Sequence, residues 1–432
     1  MSRFRLAPSP GAVVVVALAL GYPLLWALAR PAGQPTGRYI GEVFGTEAVF
    51  LLCISLVLVT VLPAIERAFS GLDRVAVWHR DVSTIAVLLL IPHWVLATSS
   101  PDRYAHGVGP AFGQIALVGL LVVAVWALAP KLRAARWPGP VRRLARVTYE
   151  RWLTAHRLAG IFVISAVAHG GLVDPALHAS TLLRVVFFTT GGLGIAAYAY
   201  RELFARFVIP VYDYTVAAVR RPTDATLEVS LEPVRAAVSF RSGQFVFLEL
   251  GGELGWQRHP FSVASAPSAR RLELAIKASG DYTRDLHDAL RRGTPAKVIG
   301  PFGGFDYRSG GHEQIWIAGG IGVTPFMSWI RELNGSFDRD VDFYYSLAHD
   351  TDAIYVDEVE AAGARYPTLR PHVVYSDRDG LLTPDQTLSG QTGKDVWVYM
   401  CGPAPMMDAF SKGYGRLGVP PSRVRHEEFA IR

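Results

Sequence analysis

Two apolar runs, each with a histidine near either end, restrict this chain more than any other feature. "RWLTAHRLAGIFVISAVAHGG", Arg151 to Gly171, holds His156 and His169, and "VWHRDVSTIAVLLLIPHWVLA" holds His79 and His93. The spacings are 93 − 79 = 14 and 169 − 156 = 13 residues. At about 1.5 Å per residue, each run separates its two histidines by roughly 20 Å along a helix. Fourteen steps of about 100° return within about 40° of the starting face, whereas thirteen miss it by about 140°. The second helix must therefore bend or be locally irregular, and Gly160 is available for that. Two helices that each present imidazoles at two matching levels can clamp two haem irons. One such histidine would as readily bond a neighbouring helix; four, paired by level, favour ligation.

Six apolar stretches are long enough to cross a bilayer: Gly11 to Ala29, Thr46 to Ile65, Trp78 to Ala97, Pro110 to Ala129, Arg151 to Gly171 and Leu182 to Phe204. The first could instead be a signal peptide, since it has a basic start and ends in Ala27-Leu28-Ala29. The formal charge of +6 gathers beside these stretches, which favours membrane topology over nucleic-acid binding. Lys131, Arg133, Arg136, Arg142, Arg143, Arg146 and Arg151 crowd one connection, expected to be cytoplasmic. Alternation then makes both termini cytoplasmic. With only Cys53 and Cys401, no disulfide framework or cysteine metal site is expected.

From about Val208 the grammar changes. "ATLEVSLEPV", "GQFVFLEL", "HPFSVAS", "RLELAIKA" and "AKVIGPFG" are short β-rich runs separated by Gly, Pro and Ser clusters, as in a small antiparallel barrel. After Gly304, strands alternate with helices, which predicts a parallel doubly wound sheet. Its first strand, "QIWIAGG", runs into "GGIGVTP" and then a helix, a place where a phosphate can meet backbone amides.

The ordered motifs "HPFS", "GDYT", "GPFG", "GGIGVTP", "CGP" and "EEF" resemble the ferredoxin reductase-like flavoprotein fold. With the paired histidines ahead of them, the whole chain resembles the ferric reductase and NADPH oxidase superfamily of transmembrane flavocytochromes b, in its bacterial NADPH oxidase-like branch. The resemblance implies a multidomain membrane protein. Its parts would be a six-helix transmembrane di-haem domain over 1–205, an antiparallel β-barrel FAD domain over 206–305 and an α/β doubly wound NAD(P)-binding domain over 306–432.

Carried onto this sequence, the resemblance assigns His259, Pro260, Phe261 and Ser262 to the flavin, with Ser262 near its reactive nitrogen. Gly280, Tyr282 and Thr283 would hold the FAD pyrophosphate, and Gly300, Pro301, Phe302 and Gly303 would close the barrel. Gly319, Gly320, Gly322, Thr324 and Pro325 would form the nucleotide turn, with Cys401, Gly402 and Pro403 beside the nicotinamide. Phe429, preceded by Glu428, would lie over the flavin; Ser262, Cys401, Glu428 and Phe429 form the implied catalytic set. His79 and His156 would hold an inner haem b and His93 and His169 an outer one, with Arg80 and Arg157 beside the propionates.

The implied function is transmembrane electron transfer from cytoplasmic NAD(P)H through FAD and two haems to an outer acceptor. That acceptor is oxygen or a metal ion such as ferric or cupric. Two positions depart from oxygen-reducing members, Ala97 and an outer carboxylate near Glu47, expected as a metal-facing group or a helix-end residue. NADPH and NADH both remain open, although Ser346 and Arg378 could converge on a 2′-phosphate. The competing readings are a haem-mediated donor to a membrane or periplasmic partner or quinone, and a membrane-anchored flavin reductase without haem. The bilayer is the expected partner, with no nucleic acid and no cytosolic activator, and the bacterial inner membrane the expected location.

Overall fold

The computed structural model describes residues 9–69, 71–98, 107–127, 149–335, 337–388 and 395–427. The basic connection from Lys131 to Arg146, together with Glu428 and Phe429, lies outside them. The chain forms two compact units, one on Ser9–Phe69 and Arg74–Val208, the other on Ile209–Arg432 together with Met1–Pro8 and Ser70–Asp73.

The first unit is helical. It contains α1 (Pro10–Leu28), α2 (Thr36–Leu58), α3 (Pro63–Phe69), α4 (Leu72–Thr98), α5 (Gly109–Ala127), α6 (Tyr149–Arg157), α7 (Ala159–Val173), α8 (Pro175–Ala179) and α9 (Thr181–Ala199). A π turn over Tyr200–Phe204 ends α9. Side-chain caps define several starts. Ser9 accepts from the Ala12 amide at 3.2 Å, with Pro10 opening α1, and Asp174 accepts from the Ala176 amide at 2.8 Å to open α8. The core gathers around α2, with Ala48 and Leu51 packed in a cluster that includes Trp26, Val163 and Phe187. At Gly194 on α9, a Cβ would sit 2.7 Å from Cys53 Sγ on α2, so glycine lets the two backbones approach.

The histidine-bearing run from Arg151 is two helices, broken at Leu158 between α6 and α7. This irregularity absorbs the angular mismatch of the 13-residue spacing. The expected span Thr46 to Ile65 is also displaced, because α2 begins at Thr36 and ends at Leu58, ahead of Pro63.

The second unit holds two sheets. Strands β1 (Val211–Thr223), β2 (Thr226–Pro233), β3 (Phe245–Leu250), β4 (Arg258–Ser262), β5 (Leu272–Lys277) and β6 (Pro295–Phe302) form one sheet in the order β4-β3-β6-β1-β2-β5. All its pairings are antiparallel, and a Val263–Leu274 bridge brings the two edges together. Helix α10 (Asp281–Ala289) lies between β5 and β6 in the chain. Strands β7 (Glu313–Gly319), β8 (Asp340–Leu347), β9 (Leu369–Tyr375), β10 (Trp397–Cys401) and β11 (Val424–Glu427) form a parallel sheet in the order β11-β10-β7-β8-β9. Helices α11 (Thr324–Glu332), α12 (Val356–Arg365) and α13 (Ala404–Arg416) complete it. Trp316, Phe326, Trp329, Phe343 and Tyr345 fill its core.

The fold is thus an α-helical unit followed by an antiparallel sheet and a parallel, Rossmann-like sheet. The expected six-helix transmembrane bundle is corrected to this coarser description. Among the described residues, six helical stretches, one of them the broken run from Arg151 to Val173, are long and apolar enough to cross a membrane, but length and composition define no bilayer.

Candidate functional site

In the parallel sheet, β7 continues to β8 and β9 on one side, while β10 and β11 lie on the other. The β7–β10 boundary is therefore the switch point, where open α/β sheets take their ligands beyond the carboxyl ends of the strands. Both nucleotide motifs meet there. Gly319 ends β7, Gly320–Val323 form a tight turn, and α11 opens on Thr324 and Pro325. Gly320 adopts φ +53°, with open space where a Cβ would be, and the Thr324 hydroxyl donates to the Ile321 carbonyl at 2.7 Å. Across the boundary, Gly402 follows Cys401, and a Cβ on Gly402 would lie 3.1 Å from Gly319 Cα. A Cβ on Gly319 would lie 2.8 Å from Pro403. These are the close approaches a pyrophosphate turn needs at the start of a helix.

The antiparallel sheet presents the second motif set. His259, Pro260, Phe261 and Ser262 lie on β4, paired with β3 from Leu248 to Phe245. The His259 ring stacks on Tyr282 at 3.7 Å. Tyr282 belongs to α10, whose start is held by Thr283: its hydroxyl oxygen accepts from the amides of Ser279 and Gly280 at 3.0 and 2.9 Å. Tyr282 Oη is buried and has no hydrogen-bond partner among the described residues. An orphaned phenol beside a capped helix start fits a bound phosphate-bearing cofactor. Gly300 and Gly303 take φ of +137° and +96°, and Gln244 Nε2 donates to the Gly303 carbonyl at 3.0 Å. Replacing Thr283 by Ala is expected to cost about 1 kcal/mol, read as a lower urea midpoint of flavin fluorescence. An unchanged midpoint would remove the cap from this account.

The two sheets meet at Ser262, whose hydroxyl donates to Glu427 Oε2 at 3.4 Å with both residues buried. Glu427 is paired in register with Cys401. Flavin-motif hydroxyl, carboxylate and nicotinamide-motif thiol thus gather in one place. Burial, with the Glu427 charge adding to it, pushes the Cys401 thiol well up, so this sulfur is a neutral thiol rather than a nucleophile. Sequence reasoning chose Glu428 and Phe429 and gave no role to Glu427, although it is the first residue of the "EEF" motif. Ser346 lies on β8, while Arg378 is engaged by Asp350 at 3.0 Å and stacks over Tyr375.

In the helical unit the four histidines form two facing pairs. Ring centroids of His79 and His156 lie 6.1 Å apart, those of His93 and His169 6.3 Å apart. Nδ1 of His79 bonds Ser55 Oγ at 2.7 Å, that of His93 the Gly41 carbonyl at 2.8 Å, and that of His169 the Gly109 carbonyl at 2.9 Å. Such bonds fix ring orientation and tautomer. Arg80 pairs with Asp81 and Arg157 with Glu202, so both guanidinium groups already face carboxylates. A cation that sequence reasoning missed, Arg201, donates to the Val59 carbonyl, and its charge acts on both His79 and His156. Glu47 is no helix-end residue: it lies inside α2 and is buried.

Residues 211–317 match a family model described as an FAD-binding domain, and 316–412 match an oxidoreductase NAD-binding domain. The chain is similar to the toluate 1,2-dioxygenase electron transfer component of Pseudomonas putida, 25% identical, covering 51% of this chain and 68% of that protein. It is also similar to the reductase component of propane 2-monooxygenase from Gordonia sp. (strain TY-5), 28% identical, covering 51% and 68%. A flavohemoprotein of Burkholderia sp. (strain TH2) is 25% identical over 50% of this chain, which spans 58% of that relative's length. A solved ferredoxin NADP+ reductase from Neisseria gonorrhoeae, with bound FAD and NADP, aligns with a TM-score of 0.43 at 19% identity, covering 50% of this chain and 98% of that one.

The chain is an FAD- and NAD(P)H-dependent oxidoreductase. Its second unit is similar to the FAD-binding and NAD-binding domains of oxidoreductases. These findings correct the wider expectation of a transmembrane ferric reductase or NADPH oxidase. The family matches fall on 211–412, and the relatives named are reductase and electron-transfer components and a flavohemoprotein. Electron transfer across a bilayer to an outer acceptor, a lipid partner and an inner-membrane location depended on the superfamily resemblance. They fall with it, leaving electron transfer from NAD(P)H through FAD.

Proposed function

We propose that the second unit takes hydride from NAD(P)H onto FAD and delivers the electrons to a small-molecule or protein acceptor, as the relatives' names suggest. The meeting of Ser262, Glu427 and Cys401 beside the switch point carries this reading. The flavin, when bound, supplies hydride acceptance and one-electron release. His259, Pro260, Phe261 and Tyr282 flank it, and Gly280 and Thr283 hold its pyrophosphate. Gly319, Gly320, Gly322, Thr324 and Pro325 receive the nucleotide pyrophosphate, while Cys401, Gly402 and Pro403 border the nicotinamide. Ser262, held by Glu427, orients the reacting face.

Within the helical unit we propose that His79 with His156, and His93 with His169, would each hold one haem b, which would supply one-electron carriage. The ring-centroid separations of 6.1 and 6.3 Å leave room between each facing pair for such a group. His156 Nδ1 is buried without a hydrogen-bond partner among the described residues, and its ring stacks on Trp152 at 5.3 Å. An anaerobic absorption spectrum of the purified full chain tests both assignments. Flavin bands are expected to bleach on adding NADPH or NADH, and a Soret band is expected that weakens in His93→Ala. A spectrum in which flavin does not bleach with either nucleotide overturns the reductase assignment; one without a Soret band, after haem is supplied during expression, overturns the haem assignment.

A further inference from the structure

An open-sided apolar pocket of about 240 Å³ lies between α1, α2 and α4 in the helical unit, with Val16, Leu20 and Ile85 exposed at its mouth and Glu47 buried at its inner wall. Its wall includes Val15 and Leu20 from α1, Leu51 from α2, and Trp78, Val82 and Leu89 from α4. The one ionisable lining residue is Glu47, which is 7% exposed, with Oε2 buried and without a hydrogen-bond partner among the described residues. A buried carboxyl oxygen left unpaired is costly, and native proteins rarely leave one so. Water is a poor remedy, because a buried water needs two to four polar partners and, apart from the Trp78 indole, the other lining residues are apolar. With no cation in the lining, burial favours the neutral acid, which is a hydrogen-bond donor.

Size narrows the occupant. An apolar cavity of about 150 Å³ takes one benzene ring, so this one has room for about two fused rings. We propose that the cavity binds a neutral bicyclic molecule carrying a single carbonyl acceptor, with the Glu47 carboxyl group as donor to it. The site is independent of the flavin module and of the histidine pairs, since no lining residue belongs to either.

Titration of the full-length protein with 2-acetylnaphthalene, and separately with naphthalene, tests this by calorimetry. The ketone is expected to bind one to one, about tenfold tighter than naphthalene, the worth of one net hydrogen bond. Glu47→Gln keeps an N–H donor and is expected to bind the ketone within about threefold of the parent, while Glu47→Leu loses about tenfold. Equal affinity for ketone and naphthalene in the unmodified protein overturns the proposal without any variant. Tighter binding of the cation 2-naphthylmethylammonium overturns it as well, because Glu47 would then act as a carboxylate.

Discussion

Gly322→Ala is expected to slow flavin reduction by NADPH or NADH by at least about a hundredfold while leaving FAD bound. A Cβ on residue 322 would lie 2.5 Å from the carbonyl carbon of Cys401 and 2.8 Å from the Gly402 amide nitrogen. Both are backbone atoms of a strand end fixed between β7 and β11, so neither can rotate aside as a side chain would. The turn must shift instead, and it carries the amides at the start of α11. Displacement of about 1 Å costs on the order of a hundredfold when reacting groups must be aligned. The flavin motifs on β4 and α10 lie outside this turn, so the flavin content of the purified variant should match the parent. Stopped-flow absorbance under anaerobic conditions reads the rate, and reduction within threefold of the parent would show that the turn does not position nucleotide.

The reason that turn was legible in the sequence is local. A strand, a glycine cluster and a helix within twenty residues leave few other geometries, and β2 to β6 were legible from alternation between turn signals. Other features were not, because their partners are distant in sequence. Ser262 finds Glu427 across 165 residues and Arg157 finds Glu202 across 45, and no spacing rule reports either contact. Strand β1 was passed over although "VYDYTVAAV" alternates, because its start follows directly on the last helix. The break at Leu158 was implied by a mismatch of helical angle, but its position was not. The larger error lay in letting paired histidines and apolar length assign a superfamily. A pattern on two helices specifies neighbours for four side chains; it does not specify a bilayer or an acceptor.

Arg331→Ala should produce the largest loss of stability in the second unit. Arg331 lies on α11 and binds three elements together. Its guanidinium donates to both Glu358 oxygens on α12 at 2.9 and 2.7 Å, and to Glu273 on β5 at 3.0 Å. It also donates to the Ala264 carbonyl at 3.1 Å and lies over the Tyr355 ring. Flavin-side and nucleotide-side sheets are thereby joined through one side chain that is only 18% exposed. Removing it leaves two carboxylates uncompensated, which costs about 3–5 kcal/mol when fully buried. Here Glu273 and Glu358 are 34% and 46% exposed, so water recovers part of that. We therefore expect a loss of about 2–3 kcal/mol. For a unit of this size that lowers the melting midpoint by about 4–12 °C, followed as the release of flavin fluorescence. Arg331→Lys keeps the charge but cannot reproduce the planar fork that reaches Glu358 and Ala264 together, so it should fall between the two. If the lysine variant melts with the parent, the contribution is charge alone; if the alanine variant does too, Arg331 does not join the sheets.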